Sequence, residues 1–407
     1  MTLIECFDES ALENFAACLL LEADKLILLG DSPHMGTAAQ RYRAVLKKRN
    51  KRISVELKET GGKDLGEIAD LLREVVLSED KCVIDMNGGD EMTLMAVGAM
   101  LAGLDDRQKK KVSVQRFNPE TGIVLDCDGD GVVMQCRPAA LTVSELISLY
   151  GGTVYPSPRQ PDEKMTSRDL DALWKYMAQS PTKWNRTLSA LAEFEKRSLC
   201  VSEGRMEIFL MLDYLRYEIP DFKTKEALVR DLLKELSENG MIRDNSNDDK
   251  LEYTYKDPLA RYCTEKVGNL LEIKTLLEAR AQKENGAPKF QDCQVGVSID
   301  WDGKVNTNRY APPETRNEID LILTQGLRPL FISCKNGQIP EEELYKLHTV
   351  ATRFGGPNVR KMLIVSDPHN ISGSLEQRAK DMGIHLVPNA AELDDAGWRN
   401  IFRKAMQ

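Results

Sequence analysis

The chain has 407 residues, of which 42% are hydrophobic and 29% charged, and its net charge is −9. That length and balance predict a water-soluble globular protein of two or three domains. They exclude a protein that coats nucleic acid as a polycation, so any such contact must use local patches such as Lys47-Lys48-Arg49 or Lys109-Lys110-Lys111.

No apolar run approaches the ~20 residues of a membrane span, and MTLIECFDES lacks the basic start of a signal peptide. The expectation is no membrane contact and a cytoplasmic location. The nine cysteines contain no CxxC pair; Cys18, Cys82 and Cys263 sit singly in apolar segments, as free buried thiols do. With only four histidines, a zinc or histidine-rich metal site is not expected.

Residues 1–150 alternate strand and helix. LILLG (26–30), ISVELKE (53–59), CVIDM (82–86) and KVSVQRF (111–117) read as strands, with helices after each of the first three. This alternation predicts a parallel sheet covered by helices, a Rossmann-like domain, with ligands at the carboxyl ends of the strands. Two loops occupy that place, Asp31–Gly36 and Asn87–Asp90, on strands expected to be neighbours. Each precedes a helix N-terminus, which offers free N–H groups and a positive dipole end to a phosphate. Gly88 and Gly89 would let backbone approach a ligand, although Asn-Gly-Gly-Asp is also an ordinary strand-to-helix turn with an Asp cap. Neither GxGxxG nor GxxxxGK[ST] occurs. DCDGDG (126–131) begins like a calcium loop, but its twelfth position is Arg137, so a hairpin turn between GIVLD and VVMQC is expected instead.

The segment 151–166, GGTVYPSPRQPDEK and its continuation, is rich in Gly and Pro and reads as a linker. Residues 167–256 read as a helical connector ending in a hairpin. A helix before a hairpin can belong to a winged helix, but Glu226, Asp231, Glu235, Glu238 and Asp244 give it no basic recognition surface. Residues 257–407 read as a mixed sheet with helices on both sides. PLARYCTEKVGNLLEIKTLLEARA is one helix carrying Glu272 among apolar neighbours.

The chain's most informative stretch is NEIDLILTQGLRPLFISCKNG (317–337), two strands around a turn at Gln325–Gly326. With a period of two, Glu318 and Asp320 share one face, and Phe331, Ser333 and Lys335 another. Carboxylates and a lysine are unusual on apolar strands, and a buried charge must be paired or bind a metal. Hard cations take carboxylate and carbonyl oxygens. A cation activates water and offsets phosphate charge, while a lysine adds a fixed point charge. Asp320 followed by Ser333-Cys334-Lys335 resembles the PD-(D/E)xK nuclease signature, with Ser333 in place of the second acid. Glu318, Glu272 and the Cys334 carbonyl are the expected compensating ligands beside Asp320.

The loop GDSPHMG, the run IDMNGGDEMTLMAVGAML and the set NEIDLIL, FISCKNG, LYKLHTVATRFGG, MLIVSD and RAKDMGIHLV occur in that order. In this the chain resembles the ancillary nucleases of type III CRISPR systems, which join a CARF (CRISPR-associated Rossmann fold) sensor to a PD-(D/E)xK, restriction-endonuclease-like domain. The resemblance implies an antiviral endonuclease, dependent on Mg²⁺ or Mn²⁺, that cleaves DNA or RNA. Its CARF domains would form a homodimer activated allosterically by a cyclic oligoadenylate such as cyclic tetra-adenylate. It implies an effector pocket lined by Asp31, Ser32, His34, Met35, Asn87, Gly88, Gly89, Asp90 and Glu91. It implies a nuclease centre of Glu272, Glu318, Asp320, Ser333 and Lys335. The other readings are a ligand-sensing transcription regulator with an inactive nuclease-like domain, and a metabolic enzyme using a nucleotide on the Rossmann-like half.

Overall fold

The computed structural model describes residues 1–9, 12–118, 121–127, 131–135, 139–155, 160–199, 206–301, 316–356 and 359–407. The first sheet has the order β3-β2-β1-β4-β5-β6-β7. Its strands are β1 (Thr2–Cys6), β2 (Lys25–Gly30), β3 (Ser54–Glu59), β4 (Cys82–Asp85), β5 (Val112–Asn118), β6 (Ile123–Asp126) and β7 (Val132–Gln135). The first five are parallel, and β5, β6 and β7 pair antiparallel. Side-chain alternation sends Leu3, Leu26 and Leu28 to one face, against α1 (Glu13–Leu20), α2 (Met35–Lys48) and α6 (Val143–Leu149). Ile4, Ile27 and Leu29 go to the other face, against α3 (Leu65–Ser78) and α4 (Glu91–Ala102). The short α5 (Asp106–Lys109) follows α4.

The Rossmann-like alternation holds, with one strand more than the sequence reading found. TLIEC is β1, the middle one of the five parallel strands, and α1 follows it. The Asp31 and Asn87 loops therefore do not lie on neighbouring strands: β1 pairs with both β2 and β4 and puts its own loop, from Phe7, between them. The strand order reverses at β1–β4, and a crevice forms at such a point. The DCDGDG segment, expected to be a hairpin turn rather than a calcium loop, lies partly outside the described residues. Its flanks, β6 and β7, do form the expected antiparallel pair.

The second sheet has the order β18-β17-β16-β15-β14-β8. Its strands are β8 (Thr153–Tyr155), β14 (Asp292–Asp300), β15 (Arg316–Gln325), β16 (Arg328–Lys335), β17 (Arg360–Val365) and β18 (Ile384–Val387). The sheet is mixed, as expected: β8, β14, β15 and β16 pair antiparallel, and β16, β17 and β18 run parallel. Thr153–Tyr155, read as linker, is instead the edge strand of this sheet, since Val154 pairs with Ile299. Helix α6 packs between the two sheets. Arg49 grips Glu145 on it with two bonds of 2.7 Å, and Asp292 of β14 accepts from the Val143 N–H at 2.9 Å. One apolar core consequently runs from β1 and α2 through α6 to β15, β16 and α13 (Glu342–Gly355).

The connector contains α7 (Asp171–Gln179), α8 (Pro181–Glu195), β9 (Glu207–Met211), α9 (Leu212–Glu218), α10 (Phe222–Glu238), β10 (Ile242–Asp244) and β11 (Lys250–Tyr255). From α8 onward this is the helix–strand–helix–helix–strand–strand order of a winged helix, with the sheet order β10-β11-β9. The acid Asp231 on α10 is exposed and bridges to α7 and α8 at the surface, where Tyr176 and Lys183 donate to it at 2.8 and 2.7 Å.

The helix expected from residue 258 is broken into α11 (Pro258–Glu265) and α12 (Asn269–Ala281). The break has a cause. The Val267 carbonyl accepts from Trp184 of α8 and Asn336 of the hairpin, each at 3.2 Å, so it cannot serve a helix ladder. A two-residue ribbon follows, β12 (Lys283–Glu284) with β13 (Ala287–Pro288). Two helices complete the domain: α14 (Gly373–Asp381) and α15 (Asp395–Ala405), whose Trp398 and Phe402 close the core over α12.

Candidate functional site

At the carboxyl end of the first sheet, most residues singled out from the sequence already have structural work. Asp90 caps α4: its carboxylate accepts from the Thr93 N–H at 2.8 Å and the Thr93 hydroxyl at 2.9 Å. Asn87 donates to the Phe117 carbonyl at 2.6 Å and accepts from the Phe117 N–H at 3.2 Å, tying this loop to β5. Gly88 and Gly89 are demanded by β1. A Cβ on Gly88 would stand 2.7 Å from the Cys6 carbonyl; Gly89 has φ +99° and its Cβ would stand 2.6 Å from Cys6 Cβ. Their lack of side chains thus already serves packing against Cys6.

Met35 is buried in the core. Ser32 donates to Glu9 at 2.9 Å, across to the β1 loop. Asp31, His34 and Glu91 are exposed. The sequence reading missed Asp8, Glu9 and Asn14 between the two loops. The signal was present, an apolar pair, Leu3-Ile4, followed by FDES, but it stood at the very start of the chain.

Beneath these loops Glu5 and Asp85 are register partners on β1 and β4, and both are buried. Burial first, then the neighbouring Asp85 charge, raises Glu5 well above the usual carboxylate range. Burial likewise pushes Asp85 to about 7.

The second cluster lies where β15 and β16 meet the α11–α12 break. Asp320 Oδ2 accepts from the Cys334 N–H at 2.7 Å and the Ser333 hydroxyl at 3.0 Å, and lies 3.8 Å from Lys335 Nζ. Ser333 is thus a donor to Asp320. Glu272, in the first turn of α12, is held by the Tyr262 hydroxyl at 2.7 Å. A Cβ placed on Gly268 would stand 3.7 Å from Glu272 Oε1 and 3.9 Å from the Cys334 carbonyl, so both oxygens flank one point. Burial, then the charges of Asp320 and Glu272, push the Cys334 thiol upward.

Glu318 is exposed, opposite Ser298 on β14. The strict alternation that grouped it with Asp320 is interrupted there, since Ile319 and Leu321 pack into the cores on opposite faces of the sheet and Gly296 opposite has φ +59°. Sequence reasoning missed Glu343, whose carboxylate is 2.9 Å from Lys335 Nζ. Its only signal was the acidic run PEEE eight residues on. Burial alone would lower the Lys335 pKa; Asp320 and Glu343 outweigh it and raise it, so the ammonium stays charged at neutral pH. Among the described residues no three His, Cys, Asp or Glu side chains converge as a ready-made metal cage.

No family model matches the chain, and no curated protein matches it by sequence. Solved structures do. The chain is similar to the crystal structure of protein VC1899 from Vibrio cholerae, at 18% identity over 100% of this chain and 97% of that one, with a TM-score of 0.73. It is also similar to Can2 from Sulfobacillus thermosulfidooxidans in complex with cyclic tetra-adenylate, at 13% identity over 100% and 99%, with a TM-score of 0.66. The chain has the CARF–nuclease fold. The shared fold takes in both sheets, with α6 and the connector between them. No described helix is long and apolar enough to cross a membrane.

Proposed function

We propose that this protein is a nuclease of type III CRISPR defence, working in the cytoplasm and switched on by a cyclic oligoadenylate. The observation that carries the reading is the cluster of Asp320, Glu272, the Cys334 carbonyl and the charged Lys335 on a fold shared end to end with Can2, whose structure holds cyclic tetra-adenylate.

Glu272 and the Cys334 carbonyl flank one point, and Asp320 binds the N–H of that same Cys334. All three are hard oxygen donors, so the cluster fits Mg²⁺ or Mn²⁺, with Asp320, Glu272 and the Cys334 carbonyl as the groups that would hold it. When bound, such an ion supplies a nucleophile from water and offsets phosphate charge. The chain's own residues do the rest. The Cys334 N–H and the Ser333 hydroxyl fix the Asp320 carboxylate in one orientation, and Tyr262 fixes Glu272. Lys335, protonated and held between Asp320 and Glu343, presents a positive charge to a DNA or RNA phosphodiester and stabilises charge that develops there. The Asn185–Asn336 hydrogen bond of 2.9 Å latches connector helix α8 to the residue after Lys335.

On the sensor side, a homodimer would hold a symmetric ring across its twofold axis, each chain supplying Asp31, His34, Glu91 and the backbone of the Asn87 loop. The ring acts only through different affinities for two arrangements of that dimer. The winged-helix order of the connector favours one second reading, a ligand-sensing regulator. Sequence-specific duplex binding without metal would be its mark.

The test incubates plasmid DNA and labelled RNA with the protein and Mn²⁺, with and without cyclic tetra-adenylate. Cleavage is expected only with ring and metal together, and Asp320→Asn or Lys335→Ala should reduce it by about a hundredfold or more without altering ring affinity. Full cleavage by Lys335→Ala with metal and ring saturating removes the assignment.

A further inference from the structure

A cleft of about 290 Å³ opens between the two domains, where the β1 loop, α2, the end of α6 and α13 meet. Its lining includes Asp8 and Glu9 of the β1 loop, His34, Arg41 of α2 and Arg353 of α13. The acids have hydrogen-bond partners of their own: Asn14 donates to Asp8, and Ser32 donates to Glu9 at 2.9 Å. Among the described residues neither arginine has a carboxylate partner, a hydrogen bond or an ion pair, although this chain carries 64 acidic residues against 55 basic ones.

Two guanidinium groups that line one cleft repel each other, and the acids of the same cleft, Asp8 and Glu9, bond to Asn14 and Ser32 rather than to them. The fold nonetheless makes room for them. The Arg41 guanidinium lies where a Cβ on Gly151 would stand, and Gly151 has φ +88°, so glycine is required there for both space and conformation. Burial, and next the Arg353 charge, lower the Arg41 pKa, the sign of cations facing one another.

We propose that this cleft binds a phosphate group between Arg41 of the sensor domain and Arg353 of the nuclease domain, so that an anionic ligand clamps α13 to α2. Planar guanidinium forks suit phosphate oxygens, and two of them recognise a phosphodiester in a fixed orientation. The cleft shares His34 with the expected effector loop. The ligand that fits is accordingly a phosphodiester of the oligoadenylate, and in this the inference rests on the function proposed above.

The consequence is mechanical. Arg353 is in the last turn of α13 and Glu343 in the first, ten residues or about 15 Å apart. Glu343 holds Lys335. One helix therefore joins the phosphate clamp to the lysine of the nuclease centre, and a ligand that pulls on Arg353 acts on Glu343 at the other end. Arg353 also complements the negative end of the helix dipole, which is the purely structural account of its place.

The experiment measures binding of cyclic tetra-adenylate and, separately, of inorganic phosphate by calorimetry, for the full chain and for Arg41→Gln and Arg353→Gln. Arg353 is exposed and Arg41 half-buried, so both variants should fold, which thermal melting checks. Ring affinity is expected to fall about tenfold or more in each, with Arg353→Lys recovering part of it and Lys335→Ala leaving it unchanged. Ring binding of ordinary strength in both glutamine variants overturns the clamp while leaving the effector reading intact. Phosphate binding that depends on both arginines, with no ring binding by the unaltered chain, keeps the anion site and sinks the effector reading. No binding of either probe sinks both.

Discussion

Two pairs of carboxylates stand among apolar elements in this molecule, Glu5 with Asp85 on strands and Asp320 with Glu272 on a strand and a helix, and their surroundings give them opposite characters. Glu5 and Asp85 face each other across β1 and β4 with both side chains buried, and Glu5 Oε1 and Asp85 Oδ2 meet no donor. Like charges directly opposite in a sheet repel, so the pair is held in a protonated, near-neutral state. Asp320 and Glu272 instead receive an N–H, two hydroxyls and a nearby ammonium. Those donors and the ammonium hold both carboxylates in place and leave them available to a cationic ligand. An acid on a strand is therefore no site by itself; the donors around it decide.

The largest way to break this comparison is Glu272→Gln. If Glu272 shares a cation with Asp320 and the Cys334 carbonyl, the Mn²⁺ concentration for half-maximal cleavage should rise well over tenfold, because carboxylate count tunes affinity. Glu318→Gln, at the exposed position opposite Ser298, should shift it far less. A metal titration of cleavage checks both. Equal shifts in the two variants would return Glu318 to the centre.

The same comparison explains what the sequence made legible. Alternation and strand–helix order revealed both sheets, since apolar runs such as LILLG and FISC are local signals. The rule that charge is out of place on apolar strands found Asp320 and Lys335. Applied evenly, it would also have flagged Glu5 in TLIEC and Asp85 in CVID, so it finds constrained charges without telling a core pair from a site. Glu343 escaped because it reaches Lys335 from a helix after the hairpin, a contact set by packing of α13 on β16. The helix break at Val267–Gly268 escaped for a similar reason: its cause is two donors, Trp184 and Asn336, distant in sequence. Met35, Gly88, Gly89 and Asp90 look like ligand residues in the sequence, yet each meets a core, strand or cap requirement that only the folded neighbours make visible.

A smaller effect sharpens the picture of the first, Rossmann-like sheet. In the unfolded chain Asp85 titrates near 3.8, and in the folded one at about 7. Between those values the native state binds more protons than the unfolded one. The stability this group contributes is fully present below the unfolded value, declines as pH rises through the window and levels off above the folded value. The slope reaches at most about 1.4 kcal/mol per pH unit. Asp85→Asn, which keeps the shape and removes the charge, should flatten urea midpoints measured across that window. An unchanged slope would mean that the pair is not protonated in the fold.

The smallest expected effect concerns Glu343, and it separates a ligand of the cation from a residue that positions Lys335. Lys335 Nζ lies 2.9 Å from Glu343 and 3.8 Å from Asp320, so the ammonium is shared and nearer the helix. Both carboxylates raise its pKa against the opposing effect of burial. Glu343→Gln removes one of them, so the pKa falls and the alkaline limb of the pH–rate profile should move to lower pH. At neutral pH the lysine remains charged but less well placed, and the cleavage rate should fall by roughly three- to tenfold, the loss of one partly exposed ion pair. Glu343→Asp should keep the alkaline limb high while losing some rate through its shorter reach. The Mn²⁺ requirement should stay where it is, in contrast to Glu272→Gln. A metal requirement raised as far as in that variant would instead make Glu343 the acid that stands in for Ser333, delivered by α13 rather than by β16.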